Sequence, residues 1–306
     1  MAKILVIGGG AMGSAFTIPC LDNKNNVTIT EPYSKQFINN LKSKNKFHSV
    51  LKIKLPKKLK FRIFSKELLK EKFNLIVIAL SLPGINFISK ELKNIKNKTP
   101  ILILTKGLKY DKKRNKILTI SEQIKIDTKN KNISVLKGPC LAKELAKKNQ
   151  TKVIIANKNI NIAKKIGKLI STNYYLVEYS TDIIGVEVCS AIKNIYAMVI
   201  GAGQSLNMSS SLFQKSLLEM KYLTKYFNGK ETTVESLAGV GDLYVSAAGG
   251  RNSKMGDYLG KGFTFKSAKK KFMFKDTVEG EQLAREIGPF IFKKINLQKI
   301  PLMINL

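Results

Sequence analysis

The chain has 306 residues, enough for one large domain or two ordinary ones with separate cores. Its 44% apolar content excludes wholesale disorder, while 54 Lys+Arg against 21 Asp+Glu leave a formal charge of +33. Only four basic residues are arginine (Arg62, Arg114, Arg251, Arg285) and the lysines are scattered, so the charge reads as a solvated surface, and a specific nucleic-acid partner is not expected.

The chain starts directly on an apolar run, Lys3–Ile7, read as a strand with no charged, cleavable leader before it. GGGAMG at 8–13 follows, and then a helix over Met12–Leu21. A glycine loop between a strand and a helix is the context a dinucleotide needs. Gly8 allows the turn, Gly10 lets backbone amides approach a diphosphate, and Gly13 lets helix and strand pack closely. The helix start then presents its positive end to the phosphates.

A second strand over Asn26–Thr30 ends at Glu31, which lies 18 residues after Gly13 (31 − 13). A carboxylate there accepts from both ribose hydroxyls and repels a 2′-phosphate, so NAD is favoured over NADP. A helix is predicted over Ser34–Ser43, and His48, the one histidine, is expected to be a solvated surface residue. Strands follow at Leu75–Leu80, Ile101–Thr105, Ile133–Leu136, Lys152–Ala156 and Tyr174–Glu178, with a helix at Gly84–Lys93. These runs are apolar almost throughout, as in a parallel sheet covered on both faces. Cys20, Cys140 and Cys189 lack metal-ligand spacing, and no metal is expected; they read as small buried residues in a reducing compartment.

Beyond about Tyr179 the strand signal stops. Thr181 or Asp182 can cap a helix running from Ile183 to Leu206, apolar on most faces and therefore buried. No run of about 18 apolar residues is seen, so no spanning helix is expected. Further helices are predicted near 208–226, 231–238, 253–259 and 277–287, and the apolar end PLMINL reads as a truncated boundary. The expected architecture is thus an α/β, doubly wound, mostly parallel domain over 1–180 and an all-helical one over 181–306.

Within the long apolar helix, Lys193 stands in SAIKNIYAM among Ala191, Ile192, Ile195, Ala197 and Met198. Desolvation lowers a lysine pKa, making proton exchange near neutrality feasible. Glu187 and Asn194 share the helix and could orient it. Downstream, GVGDL at 239–243 and GGRN at 249–252 add a carboxylate and an arginine, the latter with planar paired donors for a phosphate.

These segments, with LTKGL at 104–108, GPCLAKEL at 138–145 and VEGEQLA at 278–284, resemble the NAD(P)-dependent glycerol-3-phosphate dehydrogenase family along nearly the whole chain. The resemblance implies a Rossmann domain followed by a helical substrate domain, and interconversion of dihydroxyacetone phosphate and sn-glycerol 3-phosphate. It implies Lys193 as general acid/base, Lys106 as second active-site lysine and Asp242 as the carboxylate positioning Lys193. Arg251 and Asn252 then match the phosphate grip, and Ser246 stands where a threonine is usual. On the cofactor side it implies Gly8, Gly10, Ala11, Met12, Gly13, Glu31, Lys106, Ala142, Arg251 and Glu279, with Lys143 and Glu144 nearby.

The chain departs from the family at Ser190, where a glycine is usual and the helix is expected to be crowded. It also has a short span between Asp242 and Arg251, and the family's final segment is expected to be missing. A cytoplasmic homodimer with no integral membrane segment, serving phospholipid synthesis, is expected. Competing readings are a related reductase of a hydroxyacid or ketopantoate-like substrate, and a basic protein binding nucleic acid or anionic membranes.

Overall fold

The computed structural model describes residues 1–43, 45–93 and 99–306. Two compact units emerge. The first comprises Met1–Lys106 and Ile120–Ile183; the second comprises Gly107–Thr119 and Ile184–Leu306.

In chain order the elements begin with β1 (Lys3–Ile7), α1 (Ala11–Asp22), β2 (Asn26–Thr30), α2 (Lys35–Ser43), β3 (Phe47–His48), β4 (Ile53–Lys54) and β5 (Lys60–Phe61). Next come α3 (Lys66–Lys70), β6 (Leu75–Ile78), α4 (Leu82–Lys93), β7 (Ile101–Ile103), β8 (Leu108–Asp111) and β9 (Lys116–Thr119). The series α5 (Ile120–Thr128), β10 (Ile133–Lys137), α6 (Ala142–Ala146), β11 (Thr151–Ala156), α7 (Ile160–Ile170) and β12 (Tyr175–Ser180) completes the strand-bearing part.

The first unit is an eight-stranded sheet in the order β12-β11-β10-β7-β6-β1-β2-β5. Every pairing in it is parallel except β10 with β11. Strand order reverses around β1, since β2 lies on one side and β6 and β7 on the other, so the loop after β1 opens at a topological switch point. The runs Ile4–Ile7 and Leu75–Ile78 are wholly buried because helices cover both faces, which is why they lack alternation. Phe16, Cys20, Val27, Ile29, Val77 and Tyr175 belong to this unit's core.

The second unit is helical: α8 (Ile183–Gly201), α9 (Leu206–Tyr226), α10 (Asp242–Ala247), α11 (Arg251–Gly260), α12 (Phe265–Phe272), α13 (Glu279–Lys294) and α14 (Pro301–Ile304). Residues 231–235 and 237–241 form short 3₁₀ and π turns where one helix is predicted at 231–238. The unit also takes in the β8–β9 hairpin, which the pattern of apolar runs does not announce. Tertiary contacts draw it there: the Tyr110 amide donates to Glu286 Oε1 at 3.0 Å, and the Tyr110 and Phe290 rings meet at 5.9 Å.

The premise that no stretch is long and apolar enough to span a membrane needs correction. Helix α8 is long and apolar enough by length and composition, but 89% of its most apolar stretch is buried inside the protein. Its apolar character on most faces reflects helices packed around it. Gly256 of α11 shows how closely: a Cβ there would collide with the Met198 carbonyl of α8.

Candidate active site

The glycine loop is built as its spacing predicts. Gly8 adopts φ +119°, a conformation that side chains rarely tolerate, and a Cβ on Gly13 would run into the Gly8 carbonyl. Gly10 caps α1 with extended backbone, and the space where its Cβ would stand is open. The first amides of α1 (from Ala11 and Met12) therefore begin beside free space, the arrangement that receives a diphosphate. Because the loop, the open Gly10 position and the carboxylate of Glu31 follow the carboxyl ends of the neighbouring parallel strands β1 and β2, the residues present fit a dinucleotide.

Glu31 is committed locally. Its Oε2 accepts the Gly9 amide at 2.8 Å and its Oε1 the Tyr33 amide at 3.1 Å, so the carboxylate is tied to the glycine loop. Ser14, unremarked in the sequence, donates its hydroxyl to the Gly9 carbonyl at 2.8 Å.

His48 is the clearest correction: it is 1% exposed rather than solvated. Its Nε2 lies 3.2 Å from the Gly9 carbonyl, and its ring stands edge-on to Phe37 at 5.8 Å. The Lys/Asn-rich surroundings hide this, because the short β3–β4 hairpin turns the imidazole inward while Asn45, Phe47 and Ser49 stay exposed. Burial lowers its pKa below the ordinary histidine value, with the Gly9 carbonyl opposing the shift.

Lys106 follows β7 and donates to the Gly138 carbonyl at 3.5 Å. The turn it sits on is held by Thr105, whose hydroxyl donates to Leu80 O at 2.7 Å. It is also held by fully buried Lys137, whose ammonium donates to Thr105 O at 2.5 Å and Ile103 O at 3.3 Å. Nothing in the sequence separates Lys137 from the other lysines, since only the fold shows that its strand position is covered. Ala142 opens α6, with Lys143 and Glu144 exposed behind it. Cys20 and Cys189 are buried, as expected, and Cys140 is half-buried.

In the second unit, Lys193, Asp242 and Ser246 come together. Lys193 is 5% exposed, its Nζ donates to Asp242 Oδ1 at 2.9 Å, and it also bonds the Ser246 hydroxyl. The π turn at 237–241 runs directly into α10, placing Asp242 at its first position and Ser246 one turn later on the same side. Ser190 is fully buried, and its hydroxyl folds back onto the Glu187 carbonyl at 3.3 Å.

The next residue along α8, Asn194, accepts from Asn252 Nδ2 at 3.0 Å, while Asn252 Oδ1 accepts the Gly280 amide at 2.9 Å. Asn252 is buried and so bridges α8, α11 and the start of α13. Arg251, its half-exposed neighbour, pairs with Glu279. The sequence separates these residues widely, and this bridge is what gathers them. Arg251 and Glu279, the sequence neighbours of Asn252 and Gly280, are thereby brought to the side of α8.

A doubly wound sheet whose first turn carries such a loop is the architecture of dinucleotide-binding domains, the class that includes the NAD(P)-dependent oxidoreductases. Residues 3–163 match the N-terminal domain of the NAD-dependent glycerol-3-phosphate dehydrogenases and residues 182–306 their C-terminal domain. The chain belongs to that family. It is 30% identical over 280 residues to the NADP(+)-dependent glycerol-3-phosphate dehydrogenase of Archaeoglobus fulgidus, covering 87% of this chain and 82% of that one. It is also 30% identical over 276 residues to a glycerol-3-phosphate dehydrogenase [NAD(P)+] of Clostridium botulinum, covering 88% and 82%. The solved glycerol-3-phosphate dehydrogenase of Coxiella burnetii superposes with a TM-score of 0.85 at 25% identity, covering 99% of this chain and 92% of that one.

Proposed function

We propose that this enzyme reduces dihydroxyacetone phosphate to sn-glycerol 3-phosphate, with Lys193 as general acid. The observation that carries the reading is the buried contact of Lys193 Nζ with Asp242 Oδ1 at 2.9 Å, beside the Ser246 hydroxyl. The nicotinamide, when bound, supplies the hydride that reduces the carbonyl carbon. As charge develops on the carbonyl oxygen, an ammonium at Lys193 stabilises it and delivers the proton, while Asp242 holds the amine on target. In the reverse direction the neutral amine takes the proton back. By the family pattern Lys106 is the second active-site lysine.

Arg251 presents its guanidinium to the substrate phosphate. Asn252, whose side chain bridges Asn194 and Gly280, fixes the backbone from which Arg251 projects and keeps a second Nδ2–H for the phosphate. The Glu31 carboxylate, locked by two backbone amides, favours NADH over NADPH by repelling a 2′-phosphate. A cytoplasmic homodimer supplying phospholipid synthesis is the setting this reading fits.

The test is a two-by-two assay of NADH or NADPH with dihydroxyacetone phosphate or an unphosphorylated ketoacid. NADH oxidation only with the phosphorylated ketone, at higher kcat/KM than with NADPH, is expected. Turnover of the ketoacid instead would favour a ketopantoate-type reductase. In the same assay Glu31→Ala is expected to narrow the preference for NADH about tenfold or more.

A further inference from the structure

We propose that His48 is a positioning residue for cofactor binding: as a neutral imidazole protonated on Nε2, it holds the Gly9 carbonyl so that the Gly10 amide faces the diphosphate. The inference rests on the nucleotide site being where the glycine loop places it.

The tautomer follows from the partners. The Leu51 backbone amide donates to His48 Nδ1 at 3.3 Å, so that nitrogen carries a lone pair. Nε2 therefore carries the proton, and it lies 3.2 Å from the Gly9 carbonyl, which can only accept. The same oxygen accepts the Ser14 hydroxyl at 2.8 Å, and the Gly9 amide donates to Glu31 at 2.8 Å. Both peptide groups of Gly9 are thus clamped.

A trans peptide sets its C=O and N–H in opposite directions. With the Gly9 carbonyl drawn inward by His48 and Ser14, the Gly10 N–H of that same peptide points outward, where the Gly10 position opens onto free space. A second proton on His48 would set an Nδ1–H against the Leu51 N–H, and the β3–β4 hairpin would release the ring. Among the described residues no carboxylate contacts the ring to offset this. Phe37 of α2 faces the ring, Glu31 is engaged on the far side of the Gly9 peptide, and Lys46 of the hairpin is turned to the Lys57 and Leu59 carbonyls. Lys35 and Lys42 of α2 and Lys52 and Lys54 of the hairpin are exposed. Cofactor affinity is accordingly expected to fall as acid protonates this ring.

The test measures binding directly. ADP-ribose, which carries the diphosphate without the reacting ring, is titrated calorimetrically against wild type, His48→Gln and His48→Phe from pH 5.0 to 8.0. Glutamine can still donate to the Gly9 carbonyl but does not titrate; phenylalanine fills the space without donating. Wild type should bind about tenfold more weakly at the acid end, His48→Phe about tenfold more weakly at every pH, and His48→Gln with little pH dependence. In parallel, the nitrogen shifts of the single histidine in uniformly labelled wild type should show the Nε2–H tautomer at pH 7.5.

An Nδ1–H tautomer, an acid limb that survives in His48→Gln, or wild-type affinity in His48→Phe would each overturn the proposal. Should His48→Phe fail to fold, the tautomer and the glutamine profile still decide. If wild type bound no ADP-ribose at any pH, the nucleotide site itself would be refuted, an outcome distinct from the others.

Discussion

At the scale of single residues, the decisive fact about Lys193 is its partner and not its charge, which it shares with 49 other lysines. Paired with Asp242 and hidden from water, it is held in one geometry, whereas most lysines of this chain are solvated. Lys193→Met is expected to cut kcat by about 10²–10⁴ while leaving ADP-ribose affinity unchanged, as calorimetry and steady-state assays would show. Arg251→Gln should behave differently: a charge-assisted contact to the phosphate is lost, and KM for dihydroxyacetone phosphate rises about 10- to 100-fold with a smaller effect on kcat. Lys193, Asp242 and Arg251 were all legible as motif residues. His48 and Lys137 were not, because their importance lies in burial, and a residue's local sequence does not say which side of a short hairpin or strand is covered.

At the scale of elements, the helices of the second unit are held by close backbone approach and by a few buried polar bridges. Gly256→Ala would press a methyl group on the Met198 carbonyl of α8, which has no side-chain freedom with which to yield. The expected cost is about 1–3 kcal/mol, read by denaturant unfolding. A second bridge centres on Glu219 of α9, buried and pushed toward the protonated form by desolvation. It accepts the Tyr196 hydroxyl at 2.9 Å and the amides of Leu302 and Met303 at 2.6 and 3.1 Å, tying α14 to the unit. Glu219→Ala strands all three donors and should cost about 2–3 kcal/mol, with faster hydrogen exchange beyond residue 300 as the local signature.

At the scale of the whole molecule, two units each with a core of their own carry a surface of one dominant sign. One consequence concerns pH. His48 has a folded pKa below its unfolded value of 6.5, so the unfolded chain binds this proton more readily. Stability from the neutral ring is fully present above pH 6.5 and is lost as pH falls toward the folded pKa. Relative to His48→Gln, wild type should lose up to about 1.4 kcal/mol per pH unit in that window, measured by chemical denaturation between pH 5 and 7.5. Glu219 titrates with the opposite sign, since its raised pKa favours the folded state at low pH. The glutamine variant isolates the histidine contribution from it.

The sequence alone determined the two-part organisation, the parallel sheet, the glycine loop and the identity of the lysine, carboxylate and arginine. Those features are local: strand runs, glycine spacing and motif order act through neighbours a few residues apart, where period and steric demand are readable. Only the tertiary structure decided that residues 107–119 join the helical unit, that α11 closes onto the apolar helix Ile183–Gly201 at Gly256, and that His48 braces the glycine loop. Each of these depends on which surface comes to cover a segment distant in sequence. Burial of that kind is a property of the assembled packing and leaves no periodicity in the chain.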